Sequence, residues 1–554
     1  MNGCGKLSKL DLFFLVLIAV VIIASNYTQI FAECIINNDY NYATFHSKSF
    51  QEVLCHLSKR VIPFSIIINN LIMAYIFPFS ATLARIAVTL IGMIPVSILF
   101  YVIYRKILKL STVPSFVAAT LPNIIPGQAL IPIFINGSYQ VYALIPSLLF
   151  FIFSYRYVKL SHKNIGIFFP LTLFTASLFS TEISIFIAMP VFIFLGINLR
   201  ADRRPKYLLL LSSCVIAALA RFLVYSLQPD KGVAYRISPS GDFLRRSIKC
   251  LNSFSLIKTY VPHYDVLGWA ILLVILSILL TKLTLKIFLR RYSSPGKSKI
   301  NWNNAMFFAA VWMLFGAIPF IFLSSHPFIS RYGYISAFGF FLLVVATPLS
   351  VARRKSLRII IESTLIMALL MAGMFKNAHS RQSFGRVERI GNSIIEELDD
   401  LSFPPNSQIG IMGKHLGSKL MTQSTLDWST GFLNYHLKRT DLSGIIGDER
   451  SFYDPFGSVS SRNWSSRNKW MCGLKKDRPT FVFKYDARAK VLKRCQYILS
   501  WQNDESWVIF KIDPLGANLS RYASGKGKAE YRRVAASIAK KTWNLGLIFG
   551  GGNR

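Results

Sequence analysis

Asp39 is the carboxylate from which a chemical reading of this chain starts. It stands in Glu33-Cys34-Ile35-Ile36-Asn37-Asn38-Asp39-Tyr40-Asn41-Tyr42, directly after the first long apolar run, in a half of the chain that is otherwise mostly apolar or basic. A carboxylate at the rim of an apolar layer can accept the proton of an attacking hydroxyl. Ionisable groups at membrane depth are costly and are therefore candidates for function, and three further groups fit that description. Glu182 sits in the tight connection Phe179-Ser180-Thr181-Glu182-Ile183-Ser184. Arg221 lies inside an apolar run. His326-Pro327 and Arg331-Tyr332-Gly333-Tyr334 form a short polar link between two more runs. Residues 229–264 set Lys231, Arg236, Arg245, Arg246, Lys249 and Lys258 against Asp230 and Asp242. Forked, permanently charged guanidinium donors suit phosphate oxygens, whether those belong to a substrate or to lipid headgroups. Plainer roles exist for each: Asn-Asn-Asp-Tyr is also the composition of a polar turn, and Arg85, Arg331 or the tyrosines could anchor helix ends at headgroups. The chain has no Walker loop, dinucleotide fingerprint, HExxH or paired CxxC, and its histidines are not spaced as metal ligands.

The elements that must position these groups are membrane helices. The 554 residues are 53% hydrophobic and 16% charged, against roughly 25% charged in soluble domains. The apolar residues gather in blocks near the ~20 residues that cross a bilayer. Candidate spans fall at 12–31, 82–104, 111–130, 133–155, 164–181, 183–199, 207–227, 265–288, 305–324, 333–350 and 359–375. Basic clusters at Lys6/Lys9, Arg105/Lys106/Lys109, Arg156/Lys159/Lys163, Arg200/Arg203/Arg204/Lys206, Arg290/Arg291/Lys297/Lys299 and Arg353/Arg354/Lys355/Arg358 fall on every second connection. By the positive-inside rule that puts the N-terminus in the cytoplasm, and about eleven spans put the C-terminal part outside. The net charge of +37 is thereby accounted for largely as topology rather than nucleic-acid binding. Lys6 and Lys9 before an apolar run resemble a signal peptide, but the run is long, Asp11 is unusual there, and Ala32-Glu33-Cys34 is a poor cleavage site, so it reads as a retained first helix. Residues 61–79, with Pro63 and Pro78, read as a helix lying in the interface. Five of the seven cysteines fall on outward segments, with Cys34–Cys55 and Cys472–Cys495 as local pairs and Cys250 left over.

From Lys376 the composition turns polar. The expected division is 1–375 as the membrane domain, 376–515 as a small extracytoplasmic α/β domain, and 516–554 as a basic, partly disordered tail. A helix is expected at Ser383–Leu401, ended by Pro404-Pro405, and strands at Gln408–Gly413, Thr480–Tyr485 and Trp507–Ile512.

Three pieces together resemble the membrane-embedded GT-C glycosyltransferases that use polyprenyl-phosphate-linked sugars. They are Asp39 with the entry Arg60-Val61-Ile62-Pro63-Phe64-Ser65, the Ser180-Thr181-Glu182 turn before the run reaching Pro190, and Arg331-Tyr332-Gly333-Tyr334-Ile335-Ser336-Ala337-Phe338-Gly339-Phe340. The last is similar to the family's Arg-Tyr-x-Tyr-x-Pro-Ser-x-Gly-Phe turn. The sequence departs in having a lone Asp39 where many members show two acids, Thr181 for Lys and Ser336 for Pro. The resemblance implies a polytopic α-helical protein in a bacterial inner membrane and transfer of a sugar, with inversion, to a glycan, lipid or protein acceptor at the outer face. Asp39 would be the general base, with Glu182, Arg221, Arg236, Arg245, Arg246, His326, Arg331 and Tyr332 binding substrate. No cofactor is expected, and a lone acid disfavours a bound divalent metal. The alternatives are an O-antigen-type polymerase or ligase, whose Arg and His would sit in a large outer loop, and a lipid-linked glycan transporter or flippase, which would show broken helices in matching halves.

Overall fold

The structure, a computed structural model, describes residues 8–32, 71–77, 79–124, 139–159, 166–180, 184–199, 201–226, 302–321, 330–352, 354–413, 426–448, 478–486, 489–495, 497–501, 506–512, 519–526 and 545–547, with a few isolated positions besides. The chain divides into two compact units, one made mainly of residues 1–31 and 82–381 and the other mainly of 382–554.

The first unit is helical. Helix α1 is Lys9–Ser25, and a four-residue turn, Tyr27–Ile30, follows it. Its start is a capping box: the Asp11 amide donates to Ser8 Oγ at 3.0 Å, and Asp11 Oδ2 accepts from the Ser8 amide at 3.1 Å. The expected unusual acid at the N-terminal end of this run is thus a cap, and it does more. Asp11 is buried and also accepts from Tyr101 Oη at 2.9 Å and Arg105 Nε at 3.1 Å, with Lys106 Nζ at 3.5 Å. Those partners sit on α2, Ala81–Ile107. It is an α-helix widened by π turns at Val88–Met93 and Ile103–Ile107. Pro95, just after the first of them, has no N–H to close an ordinary turn, which favours the widening. Arg85, read from sequence as interfacial, is wholly buried one turn before that widening.

Helices α3 (Thr112–Ile124), α4 (Tyr139–Lys159), α5 (Phe168–Leu178), α6 (Ser184–Ile197), α7 (Arg204–Ser226), α8 (Trp302–Ile321) and α9 (Ser330–Val351) follow. Helices α8 and α9 make the most extensive helix pair, and α9 also packs on α3. Aromatic rings fill the centre. Phe100 of α2 stacks on Phe338 of α9 at 3.9 Å, while Trp312 and Phe308 of α8 meet Phe100 and Phe151. Two of the buried polar tips are satisfied there: Trp312 Nε1 donates to the Ile335 carbonyl and Tyr104 Oη to the Phe338 carbonyl, each at 2.9 Å.

Among the described residues, four helices, Ala81–Ile107, Gln140–Lys159, Ala201–Leu223 and Lys355–Asp399, are long and apolar enough to cross a membrane by length and composition, and Phe168–Leu178, Ser184–Ile197, Trp302–Ile318 and Tyr334–Ser350 are shorter apolar helices. Large apolar side chains lie bare on α7 and on the helix Lys355–Asp399, with Ile216 at 67% and Met374 at 73% exposure. Such surface suits lipid and is rare in contact with water. The expected run at 265–288 lies outside the described residues, as does most of the expected interface helix at 61–79.

The last span was expected to stop at Phe375, with a separate helix from Ser383. Instead one helix, α10, runs from Lys355 to Asp399. Lys376 and Asn377, which read as the polar exit from an apolar run, are paired within the bundle. No proline interrupts the stretch between them and Asp399, and glycine weakens a helix interior by only about 1 kcal/mol.

In the second unit, the C-terminal part of α10 packs with α11 (Leu426–His436), where the Phe432 ring lies beside Gly391. One sheet has the order β2-β1-β3-β4. Strands β1 (Gln408–Gly413), β2 (Ser443–Asp448) and β3 (Thr480–Asp486) are parallel, and β4 (Val491–Arg494) is antiparallel to β3. β1 is buried along its whole length, as a central parallel strand must be. The second sheet has the order β7-β6-β5-β8, from β5 (Tyr497–Trp501), β6 (Ser506–Ile512), β7 (Leu519–Lys526) and β8 (Leu545–Leu547). The three expected strands are present. Two strands, 519–526 and 545–547, fall within the stretch after 516 that was expected to be a basic, partly disordered tail. These short segments lack a strong apolar signature, but β6 and β5 offer them backbone ladders, which satisfy main-chain groups whatever the side chains.

Candidate functional site

Asn123 is the hub of a buried polar cluster in the first unit. It lies one residue before the end of α3, and every polar atom of its side chain is used, along with its carbonyl. Asn123 Nδ2 donates to Ser97 Oγ of α2 at 2.6 Å, and Ser97 Oγ donates on to the Ala119 carbonyl at 2.8 Å. Asn123 Oδ1 accepts from Tyr334 Oη of α9 at 2.7 Å. Its carbonyl accepts from Lys376 Nζ of α10 at 2.8 Å and from Asn26 Nδ2 at 3.2 Å. Lys376 Nζ also donates to Asn26 Oδ1 at 2.6 Å, and Asn26 Nδ2 to the Ile22 carbonyl at 2.7 Å. Asn26, Ser97, Asn123, Tyr334 and Lys376 are all 0% exposed. Five elements thus meet through hydrogen bonds that water does not reach, where unmade ones would be expensive.

The local sequence explains why the helices can meet there. Asn26 caps α1, so its side chain is free to turn into the bundle. Gly373 has no Cβ; one built there would stand 2.5 Å from Ser25 Oγ, so a larger residue would require that hydroxyl to turn away from α10. The turn after Asn26 is then laid along α10: Thr28 Oγ1 donates to Asn377 Oδ1 at 2.8 Å, Asn377 Nδ2 to the Ala24 carbonyl at 2.9 Å, and Gln29 Nε2 to Ser380 Oγ. Lys376 is the ionisable member. Among the described residues no carboxylate lies within ion-pair distance of it, and its Nζ donates to two neutral oxygens.

Of the residues expected from sequence, Asp39, Glu182, Arg236, Arg245, Arg246 and His326 lie outside the described residues. Arg331 and Tyr332 fall on the first turn of α9 rather than in a turn between helices. The rest of that motif packs. Tyr334 joins the Asn123 cluster, and Gly339 lies where a Cβ would stand 2.5 Å from the Ala309 carbonyl and 2.7 Å from the Met313 amide of α8. Arg221 is buried near the end of α7, its guanidinium carbon 5.4 Å from the centre of the Phe179 ring, so the structure brings it to the residue three before Glu182. Sequence reading missed Lys376, Asn123 and Asn26. A lysine after an apolar run ordinarily marks a helix end at the headgroups, and no local signal separates that from a lysine buried by its neighbours. The one available cue was Asn123 and Asn26 near the ends of two runs expected to finish on the same side.

Among the described residues no three His, Cys, Asp or Glu side chains are placed to hold a metal ion. In the second unit the charged groups serve the fold. Arg439 donates through Nη2 to Asp441 at 2.6 Å and through Nη1 to the Phe403 carbonyl at 2.6 Å, and Asp441 receives the Asn406 amide. The Arg439 hydrogen bond holds the Asp441 carboxyl down at about 2. Burial beside Phe432 pushes the His436 imidazole down to about 4.

No family model and no curated protein matches the chain. Among solved structures, an oligosaccharyltransferase of Archaeoglobus fulgidus, crystallised with zinc and sulfate, is similar over 85% of this chain and 67% of its own, at 15% identity and a TM-score of 0.38. A likeness of that size carries no part of the functional reading below.

Proposed function

We propose that this protein is a membrane glycosyltransferase that moves a sugar from a polyprenyl-phosphate donor to a glycan, lipid or protein acceptor at the outer face of the membrane. The observation that carries the reading is the Asn123 cluster. It binds Asn26, from which the chain runs on thirteen residues to Asp39, and Tyr334, three residues after Arg331 on the same helix. Two separately recognised pieces of sequence thus start from one hydrogen-bonded point. Beside the third piece, Arg221 lies on the Phe179 ring that precedes Ser180-Thr181-Glu182.

In this reading an acceptor hydroxyl oxygen forms a bond to the anomeric carbon as the bond from that carbon to the phosphate oxygen breaks, with inversion. The hydroxyl proton passes to the Asp39 carboxylate. The phosphate leaves with the bonding pair, and Arg331 with Arg236, Arg245 and Arg246 neutralises the charge it gains. Glu182 orients Arg221 or the sugar, and His326 and Tyr332 contact the sugar. Basic side chains take the role that a divalent metal would otherwise fill. No nucleic-acid partner is invoked. The basic connections orient the N-terminus to the cytoplasm and the second unit to the outside of a bacterial inner membrane.

The test is Asp39→Asn, assayed with purified protein, a polyprenyl-phosphate sugar and an acceptor. Turnover is expected to fall by about 10²-fold or more while donor binding persists. A variant as fast as the native protein would remove Asp39 as the base, and a native protein that binds the lipid-linked sugar but only moves it across a bilayer would favour the flippase.

A further inference from the structure

Lys376 is an ionisable group buried without a carboxylate beside it. It has 0% exposure, follows the apolar stretch of α10, and is met by two neutral acceptors and by no carboxylate among the described residues. Burying a charge costs several kcal/mol even after relaxation. An apolar residue of the same length would bridge α10 to α1 and α3 more cheaply if packing were the only need. The two bonds it makes are specific in their reach. One fixes the cap of α1, and the other fixes the carbonyl of Asn123, whose side chain holds Tyr334. Tyr334 lies one helical turn after Arg331, so the chain of bonds from Lys376 through Asn123 to Tyr334 is the tie nearest the first turn of α9, beside the packing of that helix on α8.

We infer that Lys376 is a positioning residue for sugar transfer: through Asn123 and Tyr334 it holds the start of α9 so that Arg331 meets the departing phosphate. This rests on the transferase reading above. An uncharged bridge would leave the Asn123 carbonyl held only by the longer 3.2 Å bond from Asn26. The position of the helix start would then be looser, and a misplacement of about 1 Å in a positioning element costs about 10²-fold in rate. The effect falls on turnover, because Arg331 acts most strongly on charge that develops as the phosphate leaves.

The experiment compares native protein, Lys376→Met, Lys376→Arg, Tyr334→Phe and the double variant Lys376→Met/Tyr334→Phe in detergent or nanodiscs. The readouts are kcat, donor KM and thermal unfolding. Lys376→Met is expected to lower kcat at least about tenfold with donor KM within about twofold, and Lys376→Arg to recover part of the loss. Tyr334→Phe should lower kcat less, and the double variant should be no worse than Lys376→Met, because both cut one chain of bonds. The inference is overturned if Lys376→Met turns over like the native protein. It is also overturned if Met and Arg variants lose activity equally and in step with thermal stability, or if the losses in the double variant simply multiply. A native protein that transfers no sugar at all removes the transferase reading itself, which is a different result from any of these.

Discussion

At the residue scale, the second unit makes the clearest statement about pH. The folded imidazole of His436 is pushed from the usual 6.5 down to about 4 by burial. Below pH 6.5 the unfolded chain takes up a proton that the folded one refuses, so stability is lost as pH falls from about 6.5 towards 4. Asp441 is shifted in the same direction for a different reason, its folded carboxyl held at about 2 by the Arg439 hydrogen bond against a usual 3.8. Its contribution is present above 3.8 and is lost only as pH falls through 2. The second unit is therefore expected to weaken first through His436, by about 3 kcal/mol between pH 7 and 4. His436→Leu should flatten that part of the profile, and hydrogen exchange of 426–448, corrected for intrinsic rates, measures it. Asp441→Asn should cost about 1 kcal/mol near neutral pH, since the pair is partly solvent-exposed, with faster exchange confined to 403–406 and 439–443.

At the element scale, close helix approaches decide what the motifs do. Gly339 reads in sequence as part of a loop signature, but it is the point where α9 meets the backbone of α8. Gly339→Ala must push a Cβ against the Ala309 carbonyl and the Met313 amide, neither of which is a flexible side-chain end. A loss of about 1–3 kcal/mol is expected, seen as a lower unfolding temperature in detergent with transfer chemistry intact in the remaining folded fraction. Asp11 performs the corresponding service near the start of α1, where Tyr101, Arg105, Lys106 and the Ser8 cap all converge on one carboxylate. The strands at 408–413, 480–486 and 506–512 were legible from β-branched and aromatic runs. Those at 519–526 and 545–547 were not, because a strand that completes an existing ladder needs little apolar character of its own. The continuity of α10 was hidden for a related reason. Lys376 and Asn377 look like the end of a membrane run until Asn26, Asn123 and Thr28 are seen to bind them.

At the scale of the whole molecule, the alternation of basic connections makes one topological prediction. Single cysteines placed in the second unit of a cysteine-free variant should react with a membrane-impermeant thiol reagent added to intact cells, and a cysteine placed beside Lys6 should react only after permeabilisation. The reverse pattern would turn the chain over and place Asp39 on the cytoplasmic side. The sequence by itself determined that the chain is mostly helical and apolar with a small sheet-bearing region after it, where most helices lie, and which acidic and basic residues are candidates for chemistry. These follow from composition and periodicity, which are local properties. Only the tertiary structure decided that Asn26, Asn123, Tyr334 and Lys376 are one cluster, and that Arg221 sits on Phe179. Residues up to 350 positions apart meet there, and nothing in the neighbourhood of a buried lysine distinguishes it from an exposed one until the helices around it are packed.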